Sequence, residues 1–175
     1  MSYSYVTAHT AWPTVTIIRP EIQHLISHFY VLLDIPSTTT GHRFADEVFT
    51  KDGVMFGMGP GFKGEGPSLR WGPAVEIRRS RENAWVDYVS RRHEILRVYA
   101  FDAAGLDLLV IGKVEMGLRN RKVVEEEFVA RFVVDETTVI DQADAGAGAS
   151  AHRARLKFSR VWSNMEPIMN ALRED

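Results

Sequence analysis

The stretch from Tyr88 to Val134 limits most what this chain can fold into. It divides into three strand-like runs, Tyr88–Phe101, Leu106–Leu118 and Lys122–Val134, each about 13 residues long, against ~5–6 in an ordinary strand. The breaks between them are Asp102-Ala103-Ala104-Gly105 and a turn at Asn120. Such short breaks allow only a reversal of direction, so the three runs pair as consecutive antiparallel strands. Long strands joined this way twist strongly and curve. One face of a curved sheet must then be covered.

The covering elements precede the sheet. Pro20 suits the first turn of a helix. Ile22, Leu25, Ile26, Phe29, Tyr30 and Leu33 recur at helical spacing as far as Asp34. Pro36 ends that helix. Ser37 to Thr40 lead into a short second helix whose buried side is Phe44, Val48 and Phe49. Asp52-Gly53 reads as a turn and Val54–Met58 as a first strand. The following GMGPGFKGEGPSLRWGP holds six glycines and three prolines. It reads as a loop, of the kind that rims or covers a binding site. Pro73 starts a third short helix to about Asn83.

The remainder is simpler. Residues 1–19 read as a polar lead-in, and 137–152, rich in Ala, Gly and Asp, as a mobile hairpin loop. Arg153–Ser163 returns as a last strand, and Asn164 caps a helix from Met165 to Leu172. Helices grouped before strands argue for an α+β fold rather than α/β. The expectation is one domain over residues 1–175: a curved antiparallel sheet wrapped by N-terminal helices. The mouth of such a cone is a natural small-molecule site.

Composition narrows the function. A formal net charge of −2 across 175 residues gives no basic face for nucleic acid. The absence of cysteine removes disulfides, a thiolate nucleophile and Cys-ligated metals. No apolar run approaches the ~18 residues of a membrane span. The N-terminus lacks the pattern of a signal peptide, so a cytoplasmic location is expected.

Five segments carry a resemblance: FYVLLD (29–34), FADEVFTKDGVMFG (44–57), RRHEILRVYAF (91–101), GKVEMGLRNRKV (112–123) and EEFVARFVV (126–134). In order and spacing the chain resembles the SnoaL-like branch of the NTF2-like superfamily, particularly its fungal members. The resemblance implies a cone-shaped α+β roll, commonly a homodimer through the outer sheet face, around an apolar pocket with a few polar groups. Its better-known members include polyketide cyclases, scytalone dehydratase, ketosteroid isomerase and limonene epoxide hydrolase. Others are transport factors, assembly domains and plain binding modules.

The resemblance also suggests site residues. In the dehydratase-like members an acidic residue at the place of Asp34 orients a histidine near the place of His93, and a polar residue near the place of Arg131 contacts substrate. An Asp at a helix C-terminus opposes the macrodipole, which calls for a non-local reason. A neutral imidazole can move a proton near neutral pH. Arg131, were its strand face inward, could stabilise an enolate oxygen. The plain reading of each is a helix-end, cross-strand or solvated residue. The scytalone-specific second histidine and tyrosine pair find no counterpart here, so that reaction does not transfer.

Other residues complete the expected site. Glu115 and Glu127 are strand carboxylates that a pocket could make basic, though Glu125-Glu126-Glu127 also reads as a solvated patch. Tyr30 and Tyr99 could bond a carbonyl, or be core aromatics. Phe56 would add apolar lining, and Trp71 with Phe62 an apolar lid. His24 and His28 have a metal-compatible spacing but no nearby third ligand. No Gly-x-Ser-x-Gly turn supports a serine hydrolase. The glycine-rich loop lacks the lysine of a phosphate-binding loop.

The expected function is therefore a lyase, isomerase or cyclase without cofactor or metal. It would use acid–base chemistry on a polyketide-like, aromatic or other cyclic carbonyl metabolite. The alternatives are a non-catalytic carrier of an apolar ligand and a protein-interaction domain of the transport-factor kind. No nucleic-acid or membrane partner is expected.

Overall fold

The computed structural model describes residues 5–57, 69–71, 74–136 and 154–173. Helix α1 (Pro20–Asp34) has Pro20 in its first turn and ends at Asp34, as the spacing predicts. Its inward stripe is Ile22, Leu25, Ile26, Phe29, Tyr30 and Leu32. Leu32, not Leu33, is the fully buried leucine of the last turn. Helix α2 (Thr40–Arg43) runs on into a widened π turn, Phe44–Val48, that turns Phe44, Ala45 and Val48 into the core.

Strand β1 (Phe49–Gly57) begins five residues earlier than the sequence suggests. Asp52-Gly53 is not a turn between elements. It lies where β1 bulges against its neighbour, between Phe49 and Val54. Bulges keep a strand going while bending it. Strand β2 (Leu69–Trp71) pairs antiparallel with β1, so part of the glycine-rich stretch is sheet. Helix α3 (Ala74–Arg79) follows.

The long strands are β3 (Tyr88–Ala100), β4 (Asp107–Leu118) and β5 (Val123–Asp135). Their turns use local chemistry. The Asp102 carboxylate accepts the Leu106 and Asp107 N–H groups at 2.9 and 3.1 Å. In the second turn Arg121 takes a positive φ of 70°. Strand β6 (Arg155–Ser163) lies antiparallel to β5 and parallel to β1, and α4 (Glu166–Arg173) closes the described chain. Asn164 accepts the Glu166 N–H through its side chain at 3.1 Å, the expected cap. The expected 137–152 loop and Phe62 lie outside the described residues.

All six strands form one sheet in the order β2-β1-β6-β5-β4-β3. Helix α1 lies across its concave face. Phe29 is the hub, edge-on to Tyr30 and Phe132 at 5.0 Å and to Phe44 at 5.3 Å, the arrangement aromatic quadrupoles favour. The inward rows are Val110, Val114 and Met116 of β4, Phe128, Ala130, Phe132 and Val134 of β5, and Leu156 and Ser159 of β6. Gly112 is required within them. A Cβ there would strike the Phe128 ring and come within 2.8 Å of the Glu94 carbonyl.

From Tyr5 onward the lead-in packs against the sheet. Val6 is fully buried. Its carbonyl accepts the Ile95 N–H at 2.8 Å, and Ala11 exchanges backbone bonds with Leu96 and Val98. It thereby covers the edge of β3, which would otherwise present unpaired backbone groups. No helix among the described residues is long and apolar enough to cross a membrane.

Candidate functional site

The site is built where the last turn of α1 meets the outer edge of β3, beside the segment that covers it. His93 and Ile95 face inward, paired with Val114 and Gly112. His93 is 7% exposed. Its ring packs against Tyr30 at 5.1 Å and Phe128 at 5.6 Å. Asp34 reaches it from α1, and its carboxylate holds three donors. His93 Nδ1 donates to Oδ1 at 2.5 Å, the His93 backbone N–H to Oδ2 at 2.9 Å, and the Tyr5 hydroxyl to Oδ2 at 2.7 Å. These bonds offset the unfavourable dipole end on which Asp34 sits.

The arrangement assigns the tautomer. An ionised carboxylate only accepts, so Nδ1 carries the hydrogen and Nε2 the lone pair. Burial holds the His93 imidazole below its ordinary value, against the upward pull of Asp34, and the charges of Arg91 and Arg81 add to the lowering. The ring is therefore neutral at neutral pH, the form a general base needs. Desolvation, then the bond to Asp34, keeps the Tyr5 hydroxyl protonated well beyond its usual range.

Tyr30 stands one turn before Asp34 and is 1% exposed. Its hydroxyl is buried with no partner among the described residues. Burial raises its pKa, so it stays a proton-bearing donor. A buried hydroxyl without a partner costs about 1–3 kcal/mol, which marks Tyr30 as a group able to take a ligand oxygen.

The structure brings together Asp34, His93 and Tyr30, and separates them from the rest of the expected set. Arg131, expected in the pocket, points the opposite way. Its guanidinium is half exposed and forks onto Asp107 at 2.9 and 2.6 Å. The inward side of β5 is the Phe128–Ala130–Phe132 row, and Arg131 instead lines an open groove of the outer face with Val54, Val133 and Phe158. Glu127 and Glu115 share that outer side and are exposed. Phe56 is there too, against Phe158 at 5.6 Å and under Arg160.

Tyr99 is 42% exposed. Simple alternation places it on the His93 face, but β3 bulges between Ile95 and Arg97. The extra residue swaps the faces beyond it, so Val98 turns inward and Tyr99 outward. Trp71 belongs to β2, and its side chain lies outside the described part. His28 is bound to Glu47 at 2.7 Å, with the His24 ring stacked on it at 6.1 Å.

Three inward groups escape the sequence reading. Arg91 is two residues before His93 and paired with Met116, on the same face; counting back from His93 by twos would have found it. Glu126 pairs with Val114, directly beside His93 in that cross-strand row, roughly 10 Å away across two strand spacings. Burial raises its pKa. The sequence hides it in a run of three glutamates. Arg81, 5% exposed, carries no such signal, because it lies in the polar connection after α3.

No family model and no curated protein sequence matches the chain. Solved structures do. A protein of Novosphingobium aromaticivorans DSM 12444 assigned as a scytalone dehydratase superposes with a TM-score of 0.55 at 8% identity, over 83% of each chain. A phenazine biosynthesis-related protein of Pseudomonas aeruginosa gives 0.58 at 11% identity, over 87% of this chain and 84% of that one. A hexachlorocyclohexane dehydrochlorinase, LinA type 2, gives 0.54 at 13% identity, over 82% and 83%. Identities this low speak to fold alone. The chain adopts the α+β roll of these proteins, the NTF2-like fold.

Proposed function

We propose that this chain is a cofactor-independent acid–base enzyme of lyase, isomerase or cyclase type. Its substrate is a polyketide-like or other cyclic carbonyl metabolite. The observation that carries this reading is the buried Asp34–His93 pair, with Nδ1 tied to the carboxylate and the imidazole held neutral.

In this account His93 Nε2 takes a proton from the carbon beside a carbonyl. The C–H electron pair moves into the carbonyl, and the Tyr30 hydroxyl donates to the oxygen on which charge develops. The imidazolium is stabilised by Asp34, which keeps the ring oriented, as the acid of a catalytic triad does. The proton then goes to a departing hydroxyl, giving water and an alkene, or to another carbon, giving an isomer. Two of the structural neighbours are by name a dehydratase and a dehydrochlorinase, and both names describe eliminations.

Proton abstraction can be tested without the natural substrate. A panel of cyclic ketones, beginning with 1-tetralone, is incubated in heavy water and exchange beside the carbonyl is followed by NMR. Wild-type protein should accelerate exchange, and His93→Gln should reduce the acceleration by about 10²–10⁴-fold, the usual worth of a positioned base. Exchange that is unchanged in His93→Gln sinks the reading, and tight binding of the ketones with no exchange in wild type favours a non-catalytic carrier.

The protein is further proposed to be a cytoplasmic homodimer joined through the outer sheet face. That face exposes Trp162 and Tyr99, each 42% accessible, beside a groove lined by Ile111, Val129 and Trp162.

A further inference from the structure

Two arginines beside the pair have more charge than the described residues answer. Arg81 Nη2 donates to the Leu33 carbonyl at 3.0 Å, which fixes the guanidinium at the turn bearing Asp34. Its Nε–H is buried and has no acceptor among the described residues. Arg91 stands about 7 Å along β3 from His93, two residues at the strand rise. It donates to the Ala84 carbonyl at 3.2 Å and lies over the Trp85 and Tyr88 rings at 5.0 and 4.8 Å. The Trp85 Nε1–H beneath it is likewise buried without an acceptor among the described residues.

The local charge balance is uneven. Asp34 is the one carboxylate among the described residues whose charge acts on both arginines. All three hydrogen bonds described for it come from His93 and Tyr5. Burial and mutual repulsion lower the Arg81 pKa, yet a guanidinium stays protonated at neutral pH. A buried cation, Arg81, and a partly buried one, Arg91, therefore share one committed anion. A buried charge is tolerated when paired, and a planar guanidinium matches a carboxylate oxygen for oxygen.

We propose that the site takes an anionic substrate, a cyclic carbonyl compound bearing a carboxylate, and that Arg81 and Arg91 seat that carboxylate beside His93. This rests on the acid–base reading for the identity of the site, and adds the charge of the substrate. The arginines set which end of the molecule enters and leave a carbon–hydrogen bond facing Nε2.

The test uses the full chain, with acetate and benzoate as probes and acetamide and benzamide as neutral controls at constant ionic strength. Heteronuclear NMR follows the Arg81 Nε–H resonance, and calorimetry gives affinity. Both carboxylates should move the resonance saturably while the amides do not. Benzoate should bind about ten-fold or more tighter than benzamide, as a charge-assisted pair requires. Arg81→Gln and Arg91→Gln should each remove most of that difference, and Arg131→Gln on the outer face should leave it unchanged.

An Arg81 resonance indifferent to both carboxylates, or equal affinity for acid and amide, overturns the proposal. The wild-type comparison decides even if a variant fails to fold. Benzoate has no proton for His93 to remove, so the two readings fail separately. The pair fails when exchange survives His93→Gln, and the anion site fails when acid and amide bind alike.

Discussion

At the scale of residues, the interior is organised around one carboxylate with three donors. Asp34→Asn keeps the shape but loses the charge and lets the amide offer an N–H to Nδ1. The ring then favours the other tautomer, and turnover should fall by about 10²–10⁴-fold with little change in fold. Asp34→Ala removes the acceptor altogether. The buried His93 N–H then has no partner, and unfolding in denaturant should show a loss of about 2–3 kcal/mol. The pH dependence has a defined sign. The folded His93 value lies below the 6.5 of an unperturbed histidine. Between the two values the unfolded chain binds a proton that the folded protein does not. Stability should therefore fall as pH drops below 6.5 and level off beneath the folded value. His93→Gln should remove that part of the dependence in thermal melts across the same window.

At the scale of elements, the strand bulges and inward rows decide what faces the site. Phe132 is fully buried against Phe29, and Phe132→Ala should cost about 3–5 kcal/mol. Gly112→Val puts a branched side chain where even a Cβ meets the Phe128 ring and the Glu94 carbonyl. It should destabilise by about 1–3 kcal/mol and shift Phe128 off His93, which the His93 ring resonances would report. The sequence was legible wherever periodicity ran unbroken. Pro20 to Asp34 is a helix with the expected bounds, and the three long runs are β3, β4 and β5. It misled where one residue breaks the period. The bulge between Ile95 and Arg97 sends Tyr99 outward, and the bulge in β1 disguises a strand as a turn at Asp52-Gly53. Arg131 shows the other difficulty. Its strand alternates cleanly, and two large aromatics beside it settle which side is buried, so Arg131 stays with the solvent. The sequence alone does not say that a histidine, two arginines and a glutamate share the opposite side.

At the scale of the whole molecule, the two faces of the roll differ in chemistry. The concave side holds the Asp34–His93 pair under α1, and the convex side presents Trp162, Phe158 and Arg160. Trp162 lies 5.1 Å beneath the Arg160 guanidinium, an aromatic–arginine pairing enriched in interfaces. Trp162→Glu should convert a dimer to monomer in analytical ultracentrifugation and leave ketone exchange in place. A wild-type monomer at high concentration would remove the dimer from the account.

The mechanism turns on one proton, which heteronuclear NMR of the His93 ring across a pH series can follow. The ring should be neutral at neutral pH, with hydrogen on Nδ1 and the lone pair on Nε2, and with a midpoint below 6.5. A hydrogen on Nε2, or an imidazolium persisting at neutral pH, would contradict it, because neither form can take a proton from a substrate.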